Sequence, residues 1–326
     1  MIRRALSLVA LMALAAASGV AAFNVGKSLG KAACPAAERA KADDALLDRD
    51  IAALAPQRPG RADLFVVGLA GDGTEAVFRN EVLYLRDLAG RRMDADGRVL
   101  LLANHADAPP QRPLPRASLA NLRAALAGVG AAMDRDEDLL LLYLTTHGTE
   151  DHELLLRRPG AEDDLLDAGQ IRSALDEAGI RHRVIAISAC YSGGLIRELK
   201  DPDTLVLTAA REDRTSFGCG NDSAATFFGR AWLVDGLNAS VDFSAAFQRA
   251  RLGIAQREQA EQLRPSRPQM ARGERIESRL AAWRAGFAPG PALPYPHADP
   301  EAADIEAVDA GAAEVTAPRL PTGTVR

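Results

Sequence analysis

Five short runs of nearly unbroken apolar residues constrain this chain more than anything else in it: Leu64 to Ala70 (LFVVGLA), Val99 to Ala103, Leu139 to Thr145 (LLLLYLT), Arg183 to Ala189 (RVIAISA) and Leu205 to Ala210. A strand with one wet face alternates apolar and polar residues; a continuous run needs cover on both faces, as inside a parallel sheet. Between these runs, Leu119 to Met133 and Asp167 to Ala178 place apolar residues three and four apart, the pattern of amphipathic helices, and Gly179 ends the second. Strand and helix in alternation predict an α/β domain, a mainly parallel sheet flanked by helices on both faces in three α/β/α layers. Its ligand crevice is expected at the carboxyl ends of the strands.

The flanks read differently. Arg3 and Arg4 precede an uncharged run from Ala5 to Gly26, so residues 1–22 are expected to serve as an export signal cut near Phe23, sending the protein to the periplasm or outside the cell. The alternative is that the run stays as an inner-membrane anchor. Cys34 follows Ala32-Ala33, but Lys31 stands where a lipidation signal wants an apolar residue. Residues 23–62 read as a spacer helix and linker ending at Pro56 and Pro59, and residues 288–326, broken by prolines among Ala, Asp and Glu, as a disordered tail. The folded domain is expected over residues 63–287.

Composition narrows the function classes. With 39 basic against 44 acidic side chains the formal charge is -5, and no Lys/Arg block interleaved with aromatics occurs, so no nucleic acid partner is expected. Three cysteines without a CxxC pair argue against a disulfide scaffold and structural zinc. His147 and His152, with Glu150, Asp151 and Glu153 nearby, lack the HExxH spacing, so no metal is expected; the Asp151-His152-Glu153 stretch reads as a hairpin tip with Leu154 to Leu156 returning. Ser192 lies in YSGG, not GxSxG, and Gly71-Asp72-Gly73 lacks the rest of a phosphate loop. Trp232 and Trp283 read as core anchors. A Cys34–Cys219 disulfide is conceivable in an oxidising compartment, but Cys34 lies in the arm, and both are expected free.

Two strands end in chemistry. Leu139-Thr145 runs into Thr146-His147-Gly148, and Arg183-Ala189 into Cys190-Tyr191-Ser192-Gly193-Gly194. As neighbours in one parallel sheet they would bring an imidazole and a thiol to the same edge. A thiolate nucleophile needs such a partner, and the glycines let backbone N–H groups approach a developing oxyanion. Each motif alone has a plain reading, a buried small hydrophobe and a turn. Their joint occurrence is what favours chemistry.

The set Thr145-Thr146-His147-Gly148, Ile187-Ser188-Ala189-Cys190-Tyr191-Ser192-Gly193-Gly194 and Thr208-Ala209-Ala210-Arg211 resembles the catalytic core of the legumain-like cysteine peptidases (asparaginyl endopeptidases), a family related in fold to caspases. The resemblance spans roughly residues 63–275, with Gly71, Arg79 and Thr226-Phe227-Phe228-Gly229 included. It implies a caspase-like fold, a protein or peptide substrate, no cofactor, Cys190 as nucleophile, His147 as general acid/base, and the amides of Gly148 and Cys190 as oxyanion hole. It implies substrate-binding roles for Arg79, Tyr191, Ser192, Arg211 and Arg230. The family's eukaryotic members carry acids where Tyr191 and Arg230 stand, so a pocket keeping Arg79 leans positive and favours Asp over Asn at P1. The same acyl-enzyme chemistry would serve a transpeptidase or ligase, and a catalytically silent binding protein would keep the fold alone.

Overall fold

The computed structural model describes residues 43–105 and 113–297. The chain divides into two compact units, Met1–Ala45 and Leu46–Arg326. Of the first only residues 43–45 are described, and these are helical. The signal or anchor expected over residues 1–22, and Cys34, lie outside the described residues. Among the described residues no helix is long and apolar enough to cross a membrane.

The second unit is built on a six-stranded sheet of order β2-β1-β3-β6-β7-β8. Its strands are β1 (Leu64–Ala70), β2 (Val99–Ala103), β3 (Leu139–Thr145), β6 (Arg183–Ser188), β7 (Thr204–Thr208) and β8 (Gln269–Arg272). The first five pair in parallel, and β8 closes the β7 edge antiparallel. A separate hairpin joins β4 (Leu154–Leu156) to β5 (Asp164–Leu166). The helices are α1 (Ala76–Arg92), α2 (Leu119–Ala132), α3 (Ala168–Glu177), the short α4 (Ile196–Leu199), α5 (Phe243–Ala260) and α6 (Ile276–Ala285), with a π-helix over Gly229–Gly236.

The unbroken apolar runs are explained by where alternate residues go. Along β3, Leu139, Leu141 and Tyr143 pack under α1, the π-helix, α5 and α6, whereas Leu140, Leu142 and Leu144 pack under α2 and α3. Both faces are therefore dry, the three-layer α/β/α arrangement that the runs predicted. Trp232 and Trp283 are both fully buried, Trp232 stacked on Phe228 and Tyr143, and Trp283 on Phe243. α3 starts at the expected place because Asp167 accepts the Gln170 amide while Gln170 reaches back to the Asp167 amide, a capping box, and it ends before Gly179.

Both domain boundaries move outward. Residues 46–52 of the expected spacer are helical, and Leu47 is buried in the α2 and α3 layer. At the other end, residues 288–297 of the expected tail pack: the Leu293 carbonyl accepts from Tyr84 Oη (2.9 Å), Tyr295 Oη donates to the Ala224 carbonyl (2.8 Å), and Arg92 bonds the Gly290 carbonyl. Proline content marked this stretch as non-helical, but Leu293 and Tyr295 give it apolar anchors. The rest of the expected tail, residues 298–326, lies outside the described residues.

Candidate active site

The strand register brings the two motifs together. β3 and β6 are neighbours, and their last aligned pair is Thr145 with Ser188. His147 and Cys190 therefore each follow the same rung by two residues, and both emerge at the carboxyl edge. Gly148 explains its own identity here, because a Cβ at that position would collide with the Cys190 carbonyl oxygen. The chain order reverses between β1 and β3, one strand over from the β3–β6 pair that carries the two side chains.

After Ala189 the chain turns sharply. Tyr191 takes a left-handed conformation (φ 55°) and a 3₁₀ turn covers Ser192–Leu195. A bulky residue at positive φ costs of order 1–3 kcal/mol and persists where the surroundings hold it. They do: Tyr191 N–H donates to the Arg214 carbonyl (2.7 Å), and Ser192 Oγ donates to the Ala189 carbonyl (2.7 Å) while accepting from Ala210 N–H (3.2 Å).

The sulfur of Cys190 is half-buried and well supplied with donors. It accepts from Ser216 N–H at 3.3 Å, lies 3.8 Å from Ser216 Oγ, and meets the Cys219 thiol. Thiol donation from Cys219, the Ser216 bonds and the charge of His147 together outweigh burial and pull the Cys190 thiol down to about 6. Cys219, the more enclosed of the two, is pushed far up by holding its proton for Cys190. Of the two free cysteines described, Cys190 is the one whose surroundings favour the thiolate.

A pH dependence follows. The thiolate exists above its pKa, so alkylation of Cys190 should rise with a midpoint near about 6 and be lost on acidification. Cys219→Ala removes the first of the stabilising donors. Its midpoint should move up towards the roughly 8.5 of a free thiol, with a several-fold slower reaction at pH 6. Iodoacetamide rates measured across pH check this, and an unmoved midpoint would contradict it.

His147 projects from the neighbouring loop, with the edge of its ring against Phe78 (centroids 5.2 Å apart). Its Nε2–H donates to Glu75 Oε2 at 2.8 Å, and Asp72 Oδ2 stands 4.0 Å away. Asp72 is buried, bound by Thr74 N–H and Oγ1 and paired with Arg157 at 3.4 Å. Beyond His147 the chain makes the expected hairpin: Thr149 and Glu153 bond across the tip, and β4 returns.

Beneath this edge lies a second carboxyl group with no exposure. Glu81 on α1 accepts from Tyr143 Oη (2.7 Å), Thr145 Oγ1 (2.6 Å) and Thr226 N–H (2.8 Å), and burial raises its carboxyl pKa. Thr226 Oγ1 bonds Ser188 Oγ (2.8 Å) and accepts from Gly229 N–H (2.8 Å). Gly229 has no alternative, since a Cβ there would strike Glu81 Oε1. The knot ties α1, β3, β6 and the π-helix together one layer below Cys190 and His147.

The remaining expected residues each have partners of their own. Ser192 is buried and its hydroxyl is spent on the turn, so its side chain does not face a substrate. Tyr191 Oη donates to Glu150 Oε1 (3.2 Å). Arg211 pairs with Asp213. Arg79 contacts His105 Nδ1 (3.0 Å) and Asn80 Oδ1 (3.0 Å), while Arg230 pairs with Asp235 (3.3 Å) and lies over the Tyr295 ring. No cluster of metal-ligating side chains occurs among the described residues. Two features that matter here were not anticipated from sequence: Glu75, and Cys219 in its contact with Cys190. Glu75 was open to the same edge reasoning, since it follows β1, which neighbours β3. Cys219 sits in an irregular loop with no periodic signal.

Residues 119–274 match the model of the Peptidase C13 family, a stretch holding His147, Gly148, Cys190, Arg211 and Arg230 but neither Glu75 nor Arg79. No curated protein matches. Among solved structures, the chain is similar to caspase-1 from Spodoptera frugiperda at 12% identity and a TM-score of 0.44, covering 68% of this chain and 93% of that one.

Proposed function

We propose that this chain, a legumain-like cysteine peptidase acting on protein substrates, cleaves peptide bonds with Cys190 as nucleophile and His147 as general acid/base. The observation that carries the assignment is the shared rung: Cys190 and His147 follow the same aligned pair by two residues on adjacent strands, and the charge of His147 is among the causes that lower the Cys190 thiol. The Cys190 thiolate attacks the scissile carbonyl carbon, and the carbonyl electrons move to oxygen, which the N–H groups of Gly148 and Cys190 receive. The C–N bond breaks as His147 gives its proton to the leaving amine. Water then adds to the thioester with His147 taking its proton, and acid and thiolate are released.

Glu75 has a positioning role in this scheme. By accepting from Nε2–H it leaves Nδ1 as the nitrogen that exchanges protons with the substrate. The P1 residue is Asp in preference to Asn, on the positive balance left by Arg79 and Arg230 and the lack of an acid after Cys190. Peptide acyloxymethyl ketones ending in Asp or Asn test both parts. Labelling is expected on Cys190, faster for Asp. A label elsewhere would overturn the nucleophile, and faster reaction with Asn would overturn the P1 preference.

A further inference from the structure

On the β7 and β8 side of the turn that follows Cys190 lies a cavity of about 600 Å³ lined by Arg211, Arg251, Glu258, Arg267, Gln269 and Met270. It is contiguous with the reactive turn. Gln269 Oε1 lies against Gly193, Arg211 N–H donates to the Ser266 carbonyl (2.9 Å), and the Arg214 carbonyl holds Tyr191 N–H (2.7 Å). The cavity wall comes from α5, from the loop after β7 and from the loop entering β8, so it does not share its walls with the Glu75 side of the site.

Its charge is one-sided. Arg211, Arg214, Arg251, Arg264 and Arg267 gather here, and the carboxylates among them are engaged or outnumbered. Asp213 is divided between Arg211 and Arg214, Glu258 Oε1 accepts from Ser266 N–H (2.9 Å), and Glu212 is exposed. Arg214 records the crowding: only 13% of its side chain is exposed, and its Nε is buried without a hydrogen-bond partner among the described residues. Burial and the neighbouring Arg264, Arg211 and Arg267 lower its pKa. Like charges are not brought together around a concave surface without cost, and an anion entering it would relieve that cost. Arginine is suited to carboxylates because its planar fork binds them through two N–H groups.

We infer that this arginine-lined cavity is a substrate subsite that binds an acidic segment of the peptide, Glu or Asp residues flanking the scissile bond. The inference rests on the peptidase reading and adds a substrate class to it: proteins whose cleavage sites are followed or preceded by acidic side chains. Arg251 and Arg267, both exposed and on separate elements, line it together with Arg211 from the loop after β7.

The test compares two peptides alike at P1 and differing only in carrying four Glu or four Gln beside the scissile bond. The wild-type kcat/KM should favour the Glu peptide by about tenfold at low salt, and the ratio should shrink as salt rises. Arg251→Glu combined with Arg267→Glu should bring the ratio close to one. A wild-type ratio near one, or a ratio that neither the double variant nor salt alters, overturns the subsite. Binding of the same peptides, fluorescein-labelled, to the Cys190→Ala protein separates the two layers of the reading. Tight binding of the Glu peptide without cleavage of either peptide by the wild type would retain the subsite and defeat the peptidase assignment. Cleavage of both without discrimination would do the reverse.

Discussion

Cys190→Ala should reduce peptide hydrolysis by at least about 10⁴-fold while leaving the fold intact, because it deletes the attacking atom and leaves only binding and oxyanion stabilisation behind. The side chain is half-buried at a strand terminus and its sulfur contacts are to Ser216 and Cys219, so the truncation opens little of the core. His147→Ala should fall to a comparable level, and the double variant should be scarcely worse, since the two groups act as one unit. Glu75→Gln keeps the shape and a hydrogen-bond acceptor but drops the charge. A loss of about ten- to a hundredfold in kcat with KM unchanged is expected. Steady-state kinetics with a matched thermal unfolding curve decide the matter. More than about 1% residual activity in Cys190→Ala would exclude it as the nucleophile.

Glu81→Ala should be the most damaging substitution for stability. It strands the Tyr143 hydroxyl, the Thr145 hydroxyl and the Thr226 amide in a dry layer. Unsatisfied buried groups cost about 1–3 kcal/mol each, so a loss of about 4 kcal/mol or more is expected out of a total of roughly 5–15. Glu81→Gln keeps an oxygen for the Thr226 amide and should cost far less. The pH dependence has a definite sign. Burial raises the native carboxyl pKa above that of the unfolded chain, so the native state holds a proton the unfolded state has released. The unfolding free energy therefore falls as pH climbs past about 4.3, and Glu81→Gln should flatten that slope. Urea unfolding at several pH values measures both effects. A Glu81→Ala protein within about 1 kcal/mol of wild type would mean the knot contributes little.

The scaffold was legible wherever a single physical demand acted. β1, β2 and β3 coincide with their apolar runs residue for residue, because burial on both faces leaves no room for a polar position. β6 and β7 end earlier than their runs, at Ser188 and Thr208, where the small residues that follow have already turned into the site. α1 was not anticipated, and the reason is Glu81 and Asn80: both are buried, so the apolar face is interrupted where the protein needs polar groups. β8 reads Gln-Met-Ala-Arg and is a strand only because β7 offers it an open edge. Of the site, His147, Gly148 and Cys190 were readable from two strand ends in register. Their contacts to Glu75 and Cys219 were not, since these two arrive from other parts of the chain.

The parallel pairing of β3 with β6 has a consequence for how the enzyme should fail. One step of slippage between these strands would advance one motif past the other by about 3.3 Å and exchange the side chains of a strand between the two packed layers, taking Tyr143 from its stack on Trp232 into the leucine-lined layer, so the packing of both layers holds the register. The spacing between imidazole and sulfur is thus inherited from the least deformable layer of the molecule. Gradual warming should leave it untouched until the whole sheet gives way in a single cooperative event.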